Sequence, residues 1–161
     1  MTLKTLLISS LLLSPLTYAQ SDIMVQDAYA RATPPHAPTS AVFAQLMNNS
    51  DQDRYLTAIS TPVAGKAELH DVIHDGDIMQ MRQLDKVALP AHQSITFKPG
   101  GMHIMLFNLK QPLVEGQTID LNASFANGET IHFTAPVTKI MGEMSMHSMD
   151  MHHSHDMSHT E

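Results

Sequence analysis

The sequence predicts an all-β domain, a β-sandwich or Greek-key barrel, carrying a polar tail. Three observations predict it. Short apolar-polar alternations recur from Ile23 to Thr134, turn signals separate them, and no amphipathic run is long enough to demand a helix. The alternating segments are residues 23–31, 41–48, 55–60, 67–74, 77–83, 94–98, 103–109, 118–125 and 130–137. Between them lie Thr33-Pro34-Pro35, Asn48-Asn49-Ser50-Asp51, Asp75-Gly76, Pro99-Gly100-Gly101, Glu115-Gly116 and Asn127-Gly128, all rich in chain-bending residues. Asn127-Gly128 is a favoured hairpin turn.

The two ends differ from this pattern. Near the start, Lys4 precedes the apolar run Leu6 to Leu13 and then Thr17-Tyr18-Ala19, so residues 1–19 read as an export signal cleaved after Ala19. That run is shorter than the roughly 20 apolar residues a transmembrane helix needs, so membrane insertion is not expected. With no cysteine in the chain, neither a lipid anchor on cysteine nor a disulfide framework is available. Residues 20–140 are expected to fold as one domain. Residues 141–161 hold six Met and five His without a core-forming pattern, so they are expected to stay disordered until metal arrives.

Composition narrows the chemistry. The net charge of −7, one unit more negative once Lys4 is removed, argues against nucleic acid or an anionic membrane as partner. The 161 residues include 13 Met and 11 His but no Cys or Trp. Imidazole and thioether together suit Cu(I), a soft ion, whereas zinc sites draw on His, Cys and carboxylate. A single Met is ordinarily a core filler, and Met24 and Met47 are read that way. His36, His92 and His132 are read as surface or satisfied histidines.

Strand geometry then selects candidate ligands. A type I′ turn at Asp75-Gly76 would set His74 opposite Asp77, Val72 opposite Met79 and His70 opposite Met81, with facing side chains on one side of the hairpin. A second pair comes from His103-Ile104-Met105, since residues i and i+2 of a strand share a face while Ile104 turns inward. Gly100-Gly101 permits a tight approach just before it. If this strand end lies beside the hairpin, His70, Met81, His103 and Met105 converge as a four-coordinate primary Cu(I) site, with Met79 as rim packing or a spare ligand.

The order His70, ten residues, Met81, twenty-one residues, His103, one residue, Met105 resembles the pattern of periplasmic copper chaperones of the PCu(A)C family. So do Asp27-Ala28-Tyr29-Ala30-Arg31-Ala32-Thr33-Pro34-Pro35, Ala67-Glu68-Leu69-His70, Leu89-Pro90-Ala91, Lys98-Pro99-Gly100-Gly101, His103-Ile104-Met105-Leu106 and Leu109-Lys110-Gln111-Pro112-Leu113. The resemblance runs from Ile23 to Val137. It implies a cupredoxin-like barrel, an exposed Cu(I) site, and delivery of copper to the dinuclear centre of cytochrome c oxidase subunit II or to another assembly chaperone. It also implies an auxiliary tail site able to take Cu(II), for which His147, Met149, Met151, His152, His153, His155, Met157 and His159 are the candidates. Met102 and His74 lie outside the family's ligand pattern.

A non-enzymatic, monomeric metallochaperone is thus expected, in which the histidines must be neutral to coordinate. Blue-copper electron transfer needs a Cys thiolate and is excluded by its absence. Two rivals remain: a copper or silver scavenger acting mainly through the tail, and an adhesion sandwich whose Met and His are incidental.

Overall fold

The computed structural model describes residues 21–76 and 78–139, so the expected export signal and the Met/His tail fall outside it. Ten strands form in this order: β1 (Ile23–Arg31), β2 (Thr39–Asn48), β3 (Arg54–Ser60), β4 (Ala64–Asp75), β5 (Ile78–Leu84), β6 (Val87–Leu89), β7 (Ser94–Phe97), β8 (His103–Leu109), β9 (Thr118–Phe125) and β10 (Thr130–Thr138). Among the described residues no helix is long and apolar enough to cross a membrane. The fold is all-β and cupredoxin-like, as the alternation requires.

The strands make one mixed sheet in the order β5-β4-β8-β2-β1-β10-β9-β3-β6, with β7 paired to β2. Among the described residues only β1 and β10 run parallel, and every other pairing is antiparallel. Both halves of the sheet bury their inner faces in one core, which takes Val42, Ala44 and Leu46 from β2, Leu69 from β4 and Ile104 and Leu106 from β8. Leu56, Leu121, Ala123, Phe125, Phe133 and Ala135 meet them from the other half. Buried Asn48 is tolerated because its side-chain NH2 donates to the carbonyls of Gln52 and Leu89 and its Oδ1 accepts from the Ser50 N–H.

Two local readings change and one holds. β6 was not expected, because three residues are too few to show alternation; it is held by pairing with β3. The β9–β10 turn does use Asn127-Gly128, and Gly128 adopts φ of 87° and donates its N–H to the Phe125 carbonyl at 3.0 Å. Met24 is no core residue: it pairs with Met47 on the outer side of β1–β2 and is 47% exposed.

The placement of β4 and β8 sets up everything that follows. The ladder joining them runs from Ala64↔Leu109 to His70↔His103 and stops there, because β8 begins at His103. Beyond that pair β4 continues to Asp75 with β5 as its partner. Residues 71–75 and 78–82 therefore form a two-stranded arm that projects past the end of β8, and β5 is exposed along nearly its whole length.

Candidate metal centre

The register of the arm differs from the expected one. Observed pairs are His70↔Gln83, Val72↔Met81 and His74↔Met79, closed by Asp75↔Ile78. The expected facing pairs Val72–Met79 and His70–Met81 are thus corrected; the third, His74–Asp77, involves a residue outside those described. Gly76 supplies the reason, for its φ is 59°. A primed two-residue turn needs positive φ at its first position, which glycine adopts at no steric cost and Asp75 less readily. The loop therefore starts at Gly76, Asp75 stays in the strand, and facing residue numbers sum to two more than expected. A slip of two preserves every side chain's face. His70 and Met81 still share a face, but diagonally.

On that same face His70 and His103 are direct cross-strand neighbours, their ring centroids 5.8 Å apart and their planes at 44°. The sequence placed these two histidines near each other without specifying the contact. Leu69 and Ile104, the next pair of the ladder, point into the core and fix both strands from behind. The Phe107 ring lies 5.9 Å from that of His70 and covers one side.

Each imidazole is held by one nitrogen and leaves the other open. His103, 6% exposed, has Nδ1 at 2.9 Å from the Gly101 carbonyl. A carbonyl only accepts, so Nδ1 carries the proton and Nε2 keeps its lone pair. The carbonyl is presented by the Lys98–Met102 turn, in which Gly100 takes φ of 75° and the Lys98 N–H donates to the Met102 carbonyl at 2.7 Å. His70 is held the other way round: its Nε2 lies 2.7 Å from Glu68 Oε2. With the carboxylate accepting, the proton sits on Nε2 and the lone pair on Nδ1, which is buried and has no hydrogen-bond partner.

Glu68 was not singled out from the sequence, although a signal was present: it is two residues before His70 and so on the same face. Its other oxygen meets the Lys66 ammonium. Lys66 first, and then His70, hold the Glu68 carboxyl below its ordinary value of 4.5. The ion-pair contribution is therefore complete above that value and lost on acidification below it, so the carboxylate is in place wherever imidazole is neutral. The Gly101 carbonyl could not have been foreseen, because backbone acceptors leave no residue-type signature.

The two thioethers stand on either side of the histidine pair. Met105 follows His103 by one alternation on β8, is half-buried, and faces Glu68. Met81, on β5, lies one alternation toward the arm tip and is 57% exposed. In a flat sheet with strands about 4.8 Å apart and a rise of about 3.4 Å per residue, their Cα atoms would be about 17 Å apart. His70, His103 and Met105 thus form the compact part of the predicted set, and Met81 is its outlying member. Among the described residues no three His, Asp or Glu side chains gather as a metal-holding group, so a site here needs sulfur. His36, His92 and His132 are all exposed, as expected; Met102 packs against the core. Every tail candidate lies outside the described residues.

An imidazole nitrogen binds a metal at about 2.0 Å, so two imidazoles on one ion have ring centroids about 5 to 6 Å apart. The observed separation fits. The His70 Nδ1 fits as well, since a buried acceptor without a donor is suited to hold a cation.

A cupredoxin-like β domain with a surface cluster of imidazole and thioether donors is the class these features define. The chain belongs to the family described as "Putative lipoprotein LpqE-like", which matches residues 23–137. It is similar to a putative lipoprotein of Leifsonia xyli, 26% identical over 121 residues that cover 74% of this chain and 72% of the relative. Among solved structures it is similar to the Cu(I)-bound solution structure of DR1885 from Deinococcus radiodurans. The TM-score is 0.62 and the identity 30%, covering 78% of this chain and 83% of that one. The copper-bound PCuAC domain from PmoF2 shares the fold, with a TM-score of 0.65 at 18% identity over 76% of this chain and 97% of that domain.

Proposed function

We propose that this protein is an exported copper chaperone that binds one Cu(I) through His70, His103, Met105 and Met81 and hands it on by ligand exchange. The observation that carries the reading is the facing His70–His103 pair, each ring pinned by one nitrogen and open at the other. That the Deinococcus relative has been solved with Cu(I) bound supports the choice of ion. So does the donor set, since neutral imidazole and thioether favour soft Cu(I).

The chain's own groups divide the work. Gly101 and Glu68 hold the two imidazoles in opposite tautomers, so that binding needs no proton rearrangement. Ile104 and Leu106 anchor Met105 and His103 on a strand backed by core. Met81 is carried on the free arm and joins as the arm bends toward β8. Being neutral and exposed, its thioether is the ligand an incoming acceptor displaces first. The acceptor we propose is the dinuclear copper centre of cytochrome c oxidase subunit II or another assembly chaperone. We place the protein in the periplasm, with residues 1–19 as its export signal, and assign the tail as an auxiliary site that can take Cu(II). The tail's composition also supports a second reading, a copper or silver scavenger in which residues 141–161 dominate.

X-ray absorption on the full chain with one equivalent of Cu(I) tests the site directly. Two nitrogen and two sulfur neighbours are expected; a shell of sulfur alone would move the ion to a methionine cluster and overturn the assignment. Glu68 offers a separate check. Glu68→Ala is expected to weaken Cu(I) binding by about 10- to 100-fold, the range for losing an outer partner of a ligating histidine. Glu68→Gln, whose amide oxygen still accepts from Nε2–H, should retain most of the affinity. Equal affinities for all three proteins in a competition titration would remove Glu68 from the site.

A further inference from the structure

Beyond the His70–His103 pair, the arm carries donors that the proposed site does not use. On one face it presents Val72, His74, Met79 and Met81; on the other, Asp71, Ile73, Asp75, Ile78, Gln80 and Arg82. Among the described residues, every soft donor of the arm thus falls on the face shared with His70, His103 and Met105, and every charged group falls on the opposite one. His74 and Met79 are direct cross-strand neighbours, with Cβ atoms about 4.5 to 5.5 Å apart by strand geometry. Met79 is 65% exposed, the highest value among the large exposed apolar residues, and His74 is exposed too. Core packing therefore explains neither.

Met81 occupies a telling position. It pairs with Val72, which puts it one alternation from His74 on the tip side and one from His70 on the body side. Its thioether is diagonal to both histidines, and the same observed register that makes it outlying for the inner set makes it adjacent to the outer pair.

We propose that His74, Met79 and Met81 form a second site for a soft monovalent cation at the arm tip, with Met81 shared between this outer site and the inner one. One imidazole and two thioethers give a three-coordinate environment suited to Cu(I) or Ag(I) and poor for zinc or calcium. An ion taken at the tip needs only to exchange His74 and Met79 for His70, His103 and Met105 while Met81 stays attached, so it never leaves thioether coordination on the way inward. The outer site rests on the soft-metal reading of the inner one, but the two can fail separately.

The test is a titration of the full chain with Ag(I), a redox-inert stand-in for Cu(I), followed by NMR of methionine methyl and imidazole resonances. The first equivalent should move His103 and Met105. Further Ag(I) should move Met79 and His74, with Met81 responding in both stages. Met79→Leu together with His74→Asn should weaken the second response at least about tenfold and leave the first unchanged. Met79 and His74 signals that stay fixed until the tail methionines saturate would overturn the outer site. Failure of His103 and Met105 to respond would instead overturn the inner one.

Discussion

His103→Ala combined with Met105→Ala is expected to lower first-equivalent Cu(I) affinity by more than about 100-fold, the upper end of what loss of an outer partner alone produces. Two of the three compact donors disappear, and the open nitrogen of His70 is left without the imidazole that faces it. The fold should persist, because Met105 is only half-buried and the inward residues Ile104 and Leu106 are untouched. A competition titration against a Cu(I) chelator, with circular dichroism to verify folding, reads both effects. A doubly substituted protein that still held its first copper tightly would favour the scavenger, since the tail would then be the main binder. An unsubstituted protein without stoichiometric Cu(I) binding would favour the adhesion sandwich.

Ile104→Ala separates the scaffold from the ligands. Ile104 is fully buried between His103 and Met105, facing Leu69 in the ladder and Val42 on the other side. Truncating a buried isoleucine to alanine costs about 2–5 kcal/mol, a large fraction of the roughly 5–15 kcal/mol that such a domain holds in reserve. The urea midpoint should fall with the slope unchanged. Copper affinity should fall less than in the double variant, because both donors remain. A midpoint within error of the parent would mean that β8 is not fixed from behind as the packing indicates.

The all-β architecture was legible because alternation and punctuation agree along most of the chain. β1, β8 and β9 have the bounds expected of them, and the others shift by a few residues at their ends. β6 escaped because three residues carry no period. The candidate face was legible for a simpler reason: parity. Strand side chains alternate whatever the register, so His70 with Met81, and His103 with Met105, were each given one face correctly even though the hairpin register was wrong; the β4–β8 ladder is what puts the two pairs on the same side. Register itself depends on which residue takes the positive φ, and Asp75-Gly76 and Gly76-Asp77 are both plausible turn dipeptides. What the sequence could not convey was the tautomer of each histidine, which depends on a backbone carbonyl for His103 and on a carboxylate in the right rotamer for His70.

None of residues 71–76 or 78–83 belongs to the core or packs against it. Stability and the arm's own donors, His74, Met79 and Met81, are therefore written in different stretches of this chain. The hairpin can lose or gain donors, change length or reverse its charge while the barrel keeps its melting behaviour, so the tip's ion selectivity is free to drift, or to be redesigned, at almost no folding penalty.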